Sequence, residues 1–188
     1  MDELSLYVLD ITMNSVRAGA DTIQVGLHEE GEWLTFTVVD NGCGMTAEQV
    51  ARLSNPFFTT RKTRKVGLGI PFLTMLAEMT GGYVKIESVH KSESEDHGTT
   101  VTAKFCKDHI DFIPIGDIIS TVITLIQGSP SVYFTFTHET ERGRVELSCK
   151  ALREMLGDEI SLSEPEILTW IKGYLAEQYE EMYSPSGN

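Results

Sequence analysis

Apolar residues recur at steps of three and four over residues 4–18, where Leu6, Leu9, Met13 and Val16 mark one helical face and Gly19 stands where a C-terminal cap belongs. Alternation takes over at 22–27 and 34–39 and predicts two strands around the polar turn 29–32. Asp40-Asn41-Gly42 breaks the second strand. A short helix is expected from Thr46, with Gln49 completing a capping box, and Asn55-Pro56 ends it. Residues 57–66 have no period and read as a loop. Residues 68–79 return to a helical pattern, with Pro71 tolerated in the first turn and Gly81-Gly82 closing it. Two more alternating runs, 83–89 and 99–105, flank the polar tip 91–98.

The pattern changes character near Lys107. Residues 115–127 read as a helix, 132–138 and 144–149 as a hairpin, and 152–156 and 164–183 as helices, the last with Ser163 and Glu166 as its capping box. The tail 184–188 is read as disordered. The order predicts an α+β fold: a mostly antiparallel sheet with helices on one face, followed by a small α+β unit. The expected division is a first unit at 1–107 and a second at 108–188.

Charge sharpens this picture. The 188-residue chain has a net charge of −13; residues 1–107 contribute −4 and residues 108–188 contribute −9. So acidic a chain argues against nucleic-acid binding. Within it, Arg61, Lys62, Arg64 and Lys65 form one basic run and suggest a local anion. The start lacks a basic leader region, and the longest apolar stretch, 110–127, carries Asp111, Pro114 and Asp117, too polar for a membrane span. Cys43, Cys106 and Cys149 have no metal or disulfide spacing and fit a reducing cytoplasm.

Four segments hold chemistry. In Asp10-Ile-Thr-Met-Asn14 the i,i+4 spacing places a carboxylate and an amide on one helix face, where an amide oxygen suits magnesium and a carboxylate suits a water proton. The same spacing also describes a solvated polar stripe. In Asp40-Asn-Gly-Cys-Gly44 an acid at a strand end can accept from an exocyclic amine, and the glycines allow close approach; a tight turn would look the same. Asn55-Pro-Phe-Phe-Thr-Thr-Arg-Lys62 reads as a flap over a polyanion or as an anchored surface loop. Gly67-Leu-Gly69 opens a helix whose N-terminal N–H groups can receive phosphate.

Together and in this order, the segments resemble the GHKL superfamily of ATPases and kinases, which holds gyrase B subunits, large heat-shock chaperones, sensor histidine kinases and mismatch-repair MutL proteins. DITMNSVRAGA is similar to the N box, VVDNGCGM to the G1 box, NPFFTTRK to the F box, VGLGI to the G2 box, and GTTV at 98–101 to the last-strand motif. The resemblance implies a Bergerat fold over about 4–107 that binds ATP with Mg2+. It assigns Asn14 to the metal, Asp40 to the adenine amine with Thr100 supporting it through water, and Ala18, Gly42, Gly44 and Met45 to the adenine slot. Arg17 falls where histidine kinases often place a phosphate-facing lysine. Phe57, Phe58, Thr59, Thr60, Arg61 and Lys62 correspond to the lid, Gly67, Leu68 and Gly69 to the phosphate cradle, and Asp10 to the catalytic base.

Asp10 is one methylene shorter than the usual Glu, so hydrolysis is expected to be slow or absent. With Met1 a few residues ahead of the N box and no upstream acceptor-histidine hairpin in view, a self-contained histidine autokinase is not expected. His28, His90, His97, His109 and His138 read as surface or structural histidines. The expected function is a nucleotide-dependent regulatory switch whose acidic C-terminal unit meets a protein partner. The alternatives are an anti-sigma-factor-type serine protein kinase and a gyrase- or MutL-type ATPase, for which Lys150 is a candidate γ-phosphate lysine.

Overall fold

A computed structural model of the chain describes residues 2–53 and 68–185. Its elements run α1 (Leu4–Arg17), β1 (Thr22–Glu30), β2 (Trp33–Asp40), α2 (Ala47–Leu53), α3 (Gly69–Met79), β3 (Tyr83–Val89), β4 (Gly98–Cys106), α4 (Ile118–Gly128), β5 (Tyr133–Thr140), β6 (Gly143–Ser148), α5 (Cys149–Leu156) and α6 (Pro165–Tyr183). The six strands form one sheet in the order β3-β4-β2-β1-β5-β6. Every neighbouring pair is antiparallel except β1 and β5, which run parallel.

Alternation along the strands separates the two faces. Ile23, Val25, Leu27, Leu34, Phe36, Val38, Val101, Ala103, Phe105, Phe134, Phe136, Val145 and Leu147 share one face and are all buried. Helices α1, α3, α4 and α6 close over it, bringing Val8, Ile11, Leu73, Ile126, Ile171 and Leu175 into one continuous core. Each such side chain contributes about 1.5–3 kcal/mol by leaving water. The opposite face carries Thr35, Thr37, Thr100, Thr102, Lys104, Thr135 and Thr137, none of them buried. This is the expected α+β layering.

The two sequence units share that sheet. Thr22–His28 of β1 pairs in register with Tyr133–Glu139 of β5, so the strands after Lys107 extend the sheet built before it. The N-terminus of α1 is tied to the same later segment. No side chain caps α1; its first N–H groups, on Leu4 and Ser5, donate to the carbonyls of Pro114 (2.9 Å) and Ile115 (2.8 Å). This answers the orphan donors that every helix start presents.

Two local expectations change. The helix expected from 115 starts at Ile118, because Gly116 takes φ +78° and the carbonyl before it serves α1. Asp117 caps it by accepting from the Ser120 N–H (2.9 Å). The Ser163–Glu166 capping box does not form: Glu164 occupies the N-cap without a side-chain cap bond, and Pro165 opens α6. The Thr46–Gln49 box does form, with Thr46 N–H to Gln49 Oε1 at 2.8 Å and Gln49 N–H to Thr46 Oγ1 at 3.3 Å.

Candidate functional site

Asp40 ends β2, and its carboxylate is held at both oxygens. Ser15 Oγ donates to Oδ2 at 2.5 Å, and the Gly42 N–H donates to Oδ1 at 2.8 Å. A carboxylate offers about four lone-pair sites, so each oxygen keeps capacity for a further donor such as an adenine amine. Ser15 was not among the residues singled out in the sequence; its position beside Asn14, one turn inside the N box, is the signal that would have found it.

The loop after Asp40 is fixed by what a side chain would hit. A Cβ on Gly42 would stand 2.9 Å from the Ala18 Cβ and 3.0 Å from Asp40 Oδ1, so the expected slot residues Ala18 and Gly42 are in contact. Gly44 takes φ +66°, and a Cβ there would meet the Val89 carbonyl oxygen at 1.9 Å. The Cys43 N–H donates to the Ala18 carbonyl at 2.9 Å. Asn41 accepts from the N–H groups of Asp21 and Thr22 (both 3.1 Å) and donates to Asp21 Oδ1 (2.6 Å), a bond that holds the Asp21 carboxyl below its usual range.

The β3–β4 hairpin clasps the other side of this loop. The Met45 N–H donates to Ser88 Oγ (2.8 Å), the Lys91 N–H to the Cys43 carbonyl (2.9 Å), and the His97 ring nitrogen Nδ1 meets the Gly42 carbonyl. Ser88 Oγ also lies 2.7 Å from Thr99 Oγ1. Here the register corrects one assignment. Asp40 pairs with Thr99, while Thr100 pairs with Val39 and points to the opposite face of the sheet. Thr99, not Thr100, is the last-strand hydroxyl on the side of Asp40.

The helix motifs converge from α1 and α3. Asp10 and Asn14 are half-buried on α1, and Arg17 is exposed with Nη1 donating to Asn14 Oδ1 at 2.9 Å. Gly69 opens α3 buried, and a Cβ on it would stand 1.9 Å from Asp10 Oδ2. The base expected from the N box and the cradle expected from the G2 box therefore touch. Leu68 precedes α3 and is exposed. Phe57, Phe58, Thr59, Thr60, Arg61, Lys62 and Gly67 lie outside the described residues.

A bound nucleotide and magnesium fit this donor set. Asp40 is buttressed but unsaturated, and Asn14 offers a hard oxygen within α1. Asp40 would hold the base, Asn14 the metal, and Gly69 with the start of α3 the phosphates.

Comparison with known proteins identifies the family. The family described as histidine kinase-, DNA gyrase B-, and HSP90-like ATPase matches residues 2–109. The chain belongs to that family, the GHKL superfamily of ATPases. Sporulation kinase B of Bacillus subtilis is 30% identical over 109 residues, covering 56% of this chain and 24% of its own length. The sensor histidine kinase ZraS of Escherichia coli K12 is 30% identical over 103 residues, covering 54% and 21%. The chain thus spans about a quarter or less of these relatives. Among solved structures, the Aquifex aeolicus MutL ATPase domain complexed with ADP superposes with a TM-score of 0.54 at 16% identity, covering 83% of this chain and 68% of that one. That coverage exceeds residues 2–109, so the shared fold takes in part of the chain beyond Lys107. Among the described residues, no helix is long and apolar enough to cross a membrane.

Proposed function

We infer that this chain binds ATP with magnesium and works as a regulatory switch, passing nucleotide state to a protein partner through residues 108–188, with slow or no hydrolysis. One observation carries the reading. Helix α1 holds Asp10, Asn14 and Ser15 at the candidate site, and its other end donates to Pro114 and Ile115 while its flank packs on α4. A rigid helix joining a ligand site to a second surface is a route for coupling. Asp10 is a short base, which favours holding nucleotide over turning it over.

The experiment is calorimetry with ATP and ADP in magnesium on the wild type and Asp40→Ala, followed by phosphate release from the same samples. The reading expects ATP binding that Asp40→Ala loses, with little phosphate released. Wild type that binds no adenine nucleotide sinks it.

The kinase names of the relatives favour a second reading, transfer of phosphate to a hydroxyl of a partner protein, as in the anti-sigma-factor type, with Asp10 orienting that hydroxyl. Label carried from γ-labelled ATP to a co-purifying protein would replace the first reading with this one.

A further inference from the structure

Helix α6 has two unlike sides. Leu168, Ile171, Leu175 and Met182 are buried, where the helix packs on β6 and α4. At 3.6 residues per turn, Glu166, Trp170, Tyr174, Glu177 and Glu181 fall within an arc of about 80° away from that buried side. Lys172, the basic residue of α6, lies outside the arc.

The Trp170 and Tyr174 rings stack at a centroid distance of 5.1 Å and an interplanar angle of 9°. Stacking leaves 51% of Trp170 and 39% of Tyr174 exposed. Three other rings carry a cation of the chain's own: Lys104 lies 4.7 Å from the Trp33 centroid, Arg153 5.0 Å from Tyr133 and Arg142 5.8 Å from Tyr183. Among the described residues, no cation covers Trp170 or Tyr174, and Glu166, Glu177 and Glu181 form no ion pair.

We propose that this stripe of α6 is the docking surface for an arginine- or lysine-bearing segment of a partner protein. A guanidinium lies flat on an indole face, and its charge is answered by a carboxylate one turn away. Here Glu166 is one turn before Trp170, and Glu177 and Glu181 follow Tyr174. The net charge of −9 on residues 108–188 draws a basic segment toward this region and repels an acidic one. The assignment rests on the switch reading for the existence of a partner and supplies that partner's chemistry.

The test uses the full chain and a fluorescein-labelled nonapeptide of alternating arginine and serine, read by anisotropy with and without ATP and magnesium. Trp170→Ala, and separately Glu177→Gln with Glu181→Gln, are expected to weaken binding about tenfold, the scale of one cation–π contact. Glu87→Gln, on β3 at the far edge of the sheet, is expected to leave binding unchanged, and circular dichroism checks that each variant is folded. The proposal is overturned if the wild type does not bind the peptide, if Trp170→Ala binds it as well as the wild type, or if Glu87→Gln weakens it equally. It is also overturned if Trp170→Ala instead abolishes self-association, since the stripe would then face a second copy of the chain. Peptide affinity that ignores ATP would sink the switch and leave the docking surface standing; ATP binding that persists while the peptide fails would do the reverse.

Discussion

Asp10 and Gly69 touch: the α carbon of Gly69 is placed so that a Cβ would sit 1.9 Å from Asp10 Oδ2. Glycine at 69 leaves room for that carboxylate, and no unusual backbone angle is involved. Gly69→Ala has to push the carboxylate aside or back α3 away from α1, and it is expected to weaken ATP binding about tenfold or more, roughly 1.4 kcal/mol. Calorimetry reads this directly. Asp10→Ala in the Gly69→Ala background removes the clash and should recover much of the affinity; no recovery would mean the contact is not what limits binding.

The register of β2 and β4 separates two adjacent threonines. Thr99→Val removes the hydroxyl that meets Ser88, whose Oγ receives the Met45 N–H. It should weaken adenine-nucleotide binding by about 0.5–1.5 kcal/mol, the worth of one hydrogen bond. Thr100→Val, on the open face, should leave affinity unchanged. The reverse order would show that the last-strand motif acts from the other side of the sheet.

A partly buried polar chain ties β1 to the C-terminal helix. Lys107 Nζ donates to Glu29 Oε2 (2.9 Å), Glu29 Oε1 lies 2.7 Å from His138 Nε2, and His138 Nδ1 lies 2.8 Å from the Tyr179 hydroxyl. A neutral imidazole fits, donating from Nε2 and accepting at Nδ1 from the tyrosine. Burial pushes the His138 pKa down against the pull of Glu29. Burial would raise Glu29, but bonds from Lys107 and His138 outweigh it and hold that carboxyl below its usual value. Both folded-state values are depressed, so both groups favour the fold at neutral pH. Urea midpoints should fall as pH drops below about 6.5, where His138 takes up a proton more readily unfolded, and fall again below about 4.3 through Glu29. His138→Gln should erase the first decline and keep the second.

Gly116 is the point where the segment before α4 turns to cap α1. It takes φ +78°, and a Cβ there would stand 2.1 Å from Glu3 Oε2. Gly116→Ala should cost about 1–3 kcal/mol in denaturant unfolding. If α1 carries the coupling, the same variant also alters ATP affinity, although it lies at the far end of the helix from Asn14.

Local periodicity was sufficient for most elements. The 83–89 strand and the residues of α1 and α3 were legible because one face of each is apolar at the right period. Three things were not legible, each for a physical reason. Side chains on a strand alternate, so an offset of one residue sends Thr100 to the wrong face. The start of α4 is decided by donors on Leu4 and Ser5, far away in the chain. The Glu29–His138–Tyr179 chain joins three elements that read locally as a polar turn, a strand and an amphipathic helix, and nothing in any one of them points to the others.

The parallel pairing of β1 with β5 has a consequence for how the protein is made. Until the hundred-odd residues that separate these strands have been synthesised and threaded through α4, β1 has only β2 beside it, and its other rim of N–H and C=O groups stays open. Such a rim is a template for any extended segment that meets it first. Residues 2–109, the part that matches the family, therefore emerge from the ribosome before the strand that closes this flank.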